Sequence, residues 1–349
     1  MRHVLVIRLS ALGDVAIMVP VLEAYAQANP DVRFTVAAPP LLEPLFSGMP
    51  NVAFLGVKKK QSARAIYRQL RAVGADAVAD LHQVNRVGMA LTLLRLDALC
   101  HLRRLRFRRI HKGRLSRWLF LRHLCMRPRK TQDRRYAEVF DRLGLASRGG
   151  HLPPGHRPPT AAEPLPRAVG IAPFAQHRGK IWPWEHTCSL ALTLAAEGIQ
   201  VHLFGSRDEA TQLESLAAQH GNIVSLAGRQ SFAEELEIIR SLPLMVTMDS
   251  ANMHFASAVG TPVVSIWGAT HPDFGFRGYG QDPADALCAG LACQPCSAFG
   301  QKPCRHGDYR CLRAVTPAQV ADKVRTRLDG DRCAARQAGR PVAGGEELR

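Results

Sequence analysis

Short apolar runs alternate with helical patterns along most of the chain. In the first half, His3–Arg8, Arg33–Ala38, Val52–Val57, Ala77–Leu81 and Ala98–Leu105 read as strands. Between them, Val15–Ala28 and Ala63–Val73 carry apolar residues at helical spacing. The alternation resumes with strands at Ala168–Pro173, Gln200–Gly205, Ile223–Ala227, Leu244–Asp249 and Pro262–Trp267. Helices fit at Thr187–Glu197, Asp208–His220 and Phe232–Arg240. Strand–helix alternation predicts parallel sheets covered on both faces. The predicted fold class is therefore α/β, with two doubly wound Rossmann-like domains facing a central cleft.

Prolines 153, 154, 158, 159, 164 and 166 punctuate the middle of the chain. Proline fixes φ and cannot donate to a ladder, so residues 149–167 read as a linker. It separates a first domain, 1–148, from a second, 168–328. The Gly-, Ala-, Arg- and Glu-rich residues 329–349 read as a disordered tail. At 349 residues the chain is long enough for two cores.

Three polar clusters fall at the carboxyl ends of predicted strands, where open α/β sheets bind ligands. The first is Arg8-Leu9-Ser10-Ala11-Leu12-Gly13-Asp14. A carboxylate at Asp14 can deprotonate a hydroxyl as a general base, or simply cap the helix that follows. The second runs from Pro173 to Pro183 and contains His177, Arg178 and Lys180, cations suited to a diphosphate leaving group or to a solvated loop. The third is Asp249-Ser250-Ala251-Asn252-Met253-His254, where a strand meets a short helix that Gly260 ends. The free N–H groups at that helix start form a cradle for an anion. Glu209, just past another strand, can accept bonds from ribose hydroxyls or cap its own turn.

Charge adds a second theme. The formal net charge is +17. Between Arg103 and Arg135 there are fourteen Arg or Lys residues against one acid, Asp133. Such a field suits an anionic membrane surface, a phosphorylated glycan or nucleic acid, or is simply a solvated basic surface. No apolar run reaches membrane-spanning length, and the start lacks a signal-peptide pattern. The expected location is cytoplasmic, peripheral on the inner face of the inner membrane. Cys293, Cys296, Cys304 and Cys311 offer a four-thiolate set for a structural zinc, with disulfides or plain packing as the other two readings.

Taken in order, three motifs resemble glycosyltransferase family 9, the ADP-heptose:lipopolysaccharide heptosyltransferases. They are Ser10-x-x-Gly13-Asp14, Gly179-Lys180-x-Trp182-Pro183 and Asp249-Ser250-x-x-x-His254, the last ahead of Gly260-Thr261-Pro262-Val263-Val264. The resemblance covers about residues 1–325. It implies a GT-B fold and inverting, metal-independent transfer of a sugar, heptose from ADP-heptose, onto a lipopolysaccharide core or related cell-envelope glycan. By position, Asp14 matches the catalytic base and Lys180 the residue that binds the donor diphosphate. Asp249, Ser250, Ala251 and Asn252 match the phosphate-holding turn, Glu209 a ribose-binding acid, and His254 a site residue without an assigned role. Asp80-Leu81-His82-Gln83-Val84-Asn85-Arg86 loosely resembles the acceptor-side loop, so Ser10 and Arg86 are acceptor candidates. The partners implied are an ADP-sugar donor, a lipid-linked or phosphorylated glycan acceptor and an anionic membrane, with no nucleic acid and no catalytic cofactor. One departure is plain: Ala175 and Gln176 stand where known members carry hydroxyl residues ahead of the lysine. Two rival readings are a nucleotide-sugar epimerase or hydrolase of the same plan, and a basic nucleic-acid-binding protein.

Overall fold

A computed structural model describes residues 2–58, 60–102, 104–146, 165 and 167–338, without the side chains of Arg86 and residues 330–338. Most of the predicted linker and residues 339–349 therefore lie outside the described residues. The first domain runs β1 (His3–Ile7), α1 (Leu12–Ala28), β2 (Arg33–Ala38), β3 (Val52–Gly56), α2 (Ala63–Ala72), β4 (Ala77–Asp80), α3 (Asn85–Cys100), β5 (Arg106–Arg109), α4 (Arg114–Leu121) and α5 (Gln132–Leu143). Its strands form one parallel sheet in the order β3-β2-β1-β4-β5.

The second domain runs β6 (Ala168–Ala172), α6 (Trp184–Ala196), β7 (Gln200–Leu203), α7 (Ala210–Ala217), β8 (Ile223–Ser225), α8 (Phe232–Ser241), β9 (Met245–Met248), α9 (Ala251–Ala258), β10 (Val263–Trp267), β11 (Ala286–Cys288), α10 (Arg310–Arg313) and α11 (Pro317–Ala338). Its parallel sheet has the order β11-β10-β9-β6-β7-β8. The predicted class, two doubly wound α/β domains, is the class observed. Helix α11 runs past Asp329, where the ordered chain was expected to end.

Central strands such as β1 (HVLVI, after its leading His3) and β6 (AVGIA) are apolar because helices cover both faces of a parallel sheet. Strand β5 (RFRR) differs. It lies at the sheet edge, and its arginines keep that edge charged and unattractive to further strands. The sequence reading placed a strand at Ala98–Leu105, and this is corrected. Leu91, Leu94 and Ala98 are all buried at helical spacing, so α3 continues to Cys100 and the strand begins at Arg106.

Helix α1 is buried along nearly its whole length, from Val15 to Ala26. One flank covers its own sheet and packs on α5, while another meets α9 of the second domain. A single apolar cluster accordingly crosses the domain boundary, joining Val15, Met18 and Val19 to Met253, Phe255 and Ala256. The base of the cleft is thus a packed α1–α9 contact, with the carboxyl ends of β1 and β9 beside it.

Candidate active site

Chain reversal after β1 places Asp14 in the first turn of α1. Its carboxylate accepts from the Arg8 guanidinium and, at 3.3 Å, from the Ala11 N–H. Arg8 is buried and also donates at 2.5 Å to the Leu81 carbonyl, tying the loop after β1 to the loop after β4. Burial opposes the charge on Arg8, but Tyr136, Asp14 and Asp80 hold its pKa above the ordinary arginine range. Tyr136, fully buried on α5, donates its hydroxyl to the Asp14 carbonyl at 3.1 Å. The helix-capping reading of Asp14 is present, in the Ala11 contact. The arginine contact adds something a cap does not need.

In the second domain, Lys180 follows β6 on a short turn, Arg178–Lys180. Glycines shape that turn by close approach. A Cβ on Gly268 would come within 2.5 Å of the Gly179 carbonyl, and one on Gly300 within 2.7 Å of the Lys180 stem. The Ala269 N–H donates to the Gly179 carbonyl at 2.8 Å. So held, Lys180 Nζ lies 2.7 Å from Asp249 Oδ2 at the end of β9. The same carboxylate oxygen accepts from Thr270 Oγ1 at 2.8 Å. Arg178 turns away, over the Tyr309 ring. Trp182 is core, its indole N–H donating to the Val315 carbonyl.

Helix α9 starts at Ala251 with no side chain capping it. Its first N–H groups have no earlier carbonyls to bond, which leaves donors for an anion. Two buried side-chain atoms here, Ser250 Oγ and His254 Nδ1, lack hydrogen-bond partners among the described residues. Burial, aided by Lys180, pushes the His254 imidazole down to about 4, although Asp249 and Asp14 pull the other way. One side chain thus feels Asp14 from the first domain and Asp249 and Lys180 from the second. The start of α1, which bears the general-base candidate, and the start of α9, which offers the anion cradle, are packed together.

Other sequence candidates are placed less tellingly. Glu209 accepts from the Ser206 N–H at 2.6 Å, a capping arrangement at the end of β7. Ser10 contributes its backbone to the His82 ring. The Arg86 side chain lies outside the described residues. Zinc, one of the three readings of the cysteine segment, finds no support: no group of three or more His, Cys, Asp or Glu able to hold a metal occurs among the described residues. Cys311 is packed in the second-domain core, burial raising its thiol to about 11, and Cys296 faces the Ala269 carbonyl at 3.9 Å.

Sequence reasoning singled out Asp80–Arg86 only as a loose acceptor-side loop and missed the polar cluster that Arg8 links to Asp14. Asp80 is fully buried, accepting from the His82 and Gln83 N–H groups and from Arg109 at 2.7 Å. His82 is buried with its ring pushed down to about 4 by burial and by Arg8. Lys112 reaches the Gln83 carbonyl at 3.0 Å. An acid closing a strand was a usable signal for Asp80; nothing local foretold Arg109 or Lys112.

Residues 156–306 match the sequence model described as Glycosyltransferase family 9 (heptosyltransferase). Lipopolysaccharide heptosyltransferase 2 of Salmonella typhimurium is 38% identical over 112 residues, 30% of this chain and 32% of the relative. The matched segment thus spans about a third of the length of such curated relatives. The solved structure of E. coli ADP-heptose lps heptosyltransferase II aligns with a TM-score of 0.66 at 22% identity, covering 95% of this chain and all of that one. E. coli heptosyltransferase WaaC with ADP-2-deoxy-2-fluoro heptose aligns at 0.65 and 19% identity over 93% and 99% of the two chains. These likenesses show the GT-B fold across the chain. The family 9 resemblance read from the motifs stands with them.

Proposed function

With family 9 as the frame, we propose that this chain is a glycosyltransferase that moves heptose from ADP-heptose onto a lipopolysaccharide core or related cell-envelope glycan. One observation carries the reading: the start of α1, which bears Asp14, packs against His254 and the start of α9, next to the Lys180–Asp249 pair. Relatives whose printed names are heptosyltransferases, and a neighbour holding an ADP-heptose analogue, supply the substrate class.

The chemistry follows from the placement. A neutral acceptor hydroxyl attacks an anomeric carbon poorly. Asp14 takes its proton as the new carbon–oxygen bond forms. The bond from the anomeric carbon to the diphosphate oxygen breaks, and its electron pair leaves with ADP. Lys180 and the N–H groups of Ala251 and Asn252 face that growing negative charge. Cation and helix start supply the stabilisation, so the transfer is metal-independent. Attack from the Asp14 side, opposite the leaving diphosphate, inverts the anomeric centre. Glu209 takes the ribose end of the donor.

Acceptor and membrane fall to the first domain. Helix α3 starts at the His82–Val84 loop and turns Met89, Leu93, Leu96 and Leu99 to solvent, with exposed Leu102 beyond it. Arg104, Arg106 and Arg108 follow on the exposed edge. Apolar residues beside arginines suit the headgroup boundary of an anionic bilayer, where a lipid-linked acceptor resides. No helix among the described residues is long and apolar enough to cross a membrane. The enzyme works peripherally on the cytoplasmic face.

Incubating the purified protein with ADP-heptose, with and without a lipopolysaccharide-core acceptor, tests the reading. ADP release that requires acceptor is expected. Release at the same rate without acceptor would favour a hydrolase. No turnover, with salt-sensitive binding to mixed-sequence duplex DNA, would favour the nucleic-acid reading.

A further inference from the structure

Gly13 is the residue immediately before the proposed base, and it stands in helical backbone, the second residue of α1. Its φ is outside the left-handed region, so no local turn requires glycine there. At a helical position alanine is the better helix former. Glycine therefore needs an explanation from outside its own helix.

That explanation is across the domain boundary. A Cβ built on Gly13 would stand 2.6 Å from His254 Cδ2 and 3.5 Å from His254 Cγ and the Ala251 Cα. The first distance is well inside carbon–carbon contact. The obstacle is no flexible chain end: the His254 ring is buried, on a helix packed into the shared apolar cluster that contains Met253 and Phe255. The ring occupies the volume that any side chain at position 13 would fill.

We propose that Gly13 and His254 form an interdomain seat, and that His254 is a positioning residue. Its ring, lodged where residue 13 has no side chain, sets the approach of the α1 start to the α9 start. That approach sets the distance from the Asp14 carboxylate to a donor held at α9. The seat explains why the imidazole is buried between charged groups without a hydrogen bond to Nδ1: shape, as well as polarity, is what the position uses. The proposal assigns a task to His254 within the transferase reading and rests on that reading only for its kinetic consequence.

The test is a double-mutant cycle of Gly13→Ala and His254→Ala, read by thermal unfolding of the full chain and by turnover of ADP-heptose. Coupling between touching residues shows as non-additivity. With His254 present, Gly13→Ala should lower the unfolding midpoint, and reduce kcat about tenfold or more by displacing Asp14. ADP affinity, carried by the second domain, should stay within about twofold. In the His254→Ala background the same Gly13→Ala change meets no ring. It should then raise the midpoint, as alanine for glycine does in a helix, and add no further loss of kcat. Equal midpoint changes in both backgrounds would overturn the seat, because the glycine requirement would then be local to α1. The midpoints need no substrate. A protein that shows the sign reversal but transfers no heptose would keep the seat and sink the transferase reading.

Discussion

Lys180 Nζ and Asp249 Oδ2 stand 2.7 Å apart, and Thr270 Oγ1 completes the grip on the same oxygen. The lysine comes from the turn after β6 and the aspartate from the end of β9, strands that are neighbours in the sheet. The pair is mostly shielded from water, so each charge depends on the other.

Removing the lysine should therefore have two separable effects. Lys180→Ala leaves Asp249 buried and unpaired, costing about 3 kcal/mol of stability. It should also weaken ADP binding and slow turnover by about 100-fold. Adding Asp249→Asn should recover part of the stability and none of the affinity. Calorimetric titration with ADP and thermal unfolding of the three variants check this. Unchanged ADP affinity in Lys180→Ala would place the lysine outside the site.

Asp14→Asn keeps the size and the capping geometry of the residue but cannot take a proton. Turnover should fall by about 100-fold or more, with ADP affinity preserved. Near-normal turnover would remove Asp14 as the base.

Two buried imidazoles make stability depend on acid. His254 and His82 are both pushed down to about 4 from an ordinary 6.5. The folded state then refuses protons that the unfolded chain accepts. Stability from this source is complete above pH 6.5 and is lost as pH falls towards 4. Each group accounts for about 3 kcal/mol over that window. Urea unfolding between pH 7 and 4 should show a shallower loss for His254→Gln and for His82→Gln than for the parent. Identical slopes would mean that neither ring is buried neutral.

The exposed flank of α3 should carry membrane affinity. Replacing Leu93, Leu96 and Leu99 together by Gln should reduce co-sedimentation with anionic vesicles about tenfold or more. Transfer to a soluble acceptor fragment should be retained. Parent binding that is equal on neutral and anionic vesicles would refute a basic, apolar membrane face.

Strand–helix alternation determined the class of this protein, because apolar periodicity follows directly from covering a parallel sheet on both sides. The turns bearing Asp14, Lys180 and Asp249 were legible for a related reason: capping residues, glycines and a following strand are local signals. Where the local signal was ambiguous, as in Ala98–Leu105 across the end of α3, the helix was misread as a strand. For the four cysteines, spacing along the chain left zinc, disulfides and plain packing all open, and no group able to hold a metal occurs among the described residues. Only the tertiary structure decided which groups meet. Arg8 on Asp14, Arg109 on Asp80 and Thr270 on Asp249 pair residues 6, 29 and 21 positions apart. The seat of His254 against Gly13 joins two domains. Sequence records each residue's own preference for helix, strand or turn. The void that one glycine leaves for a distant imidazole exists only once both sheets are packed against a common core.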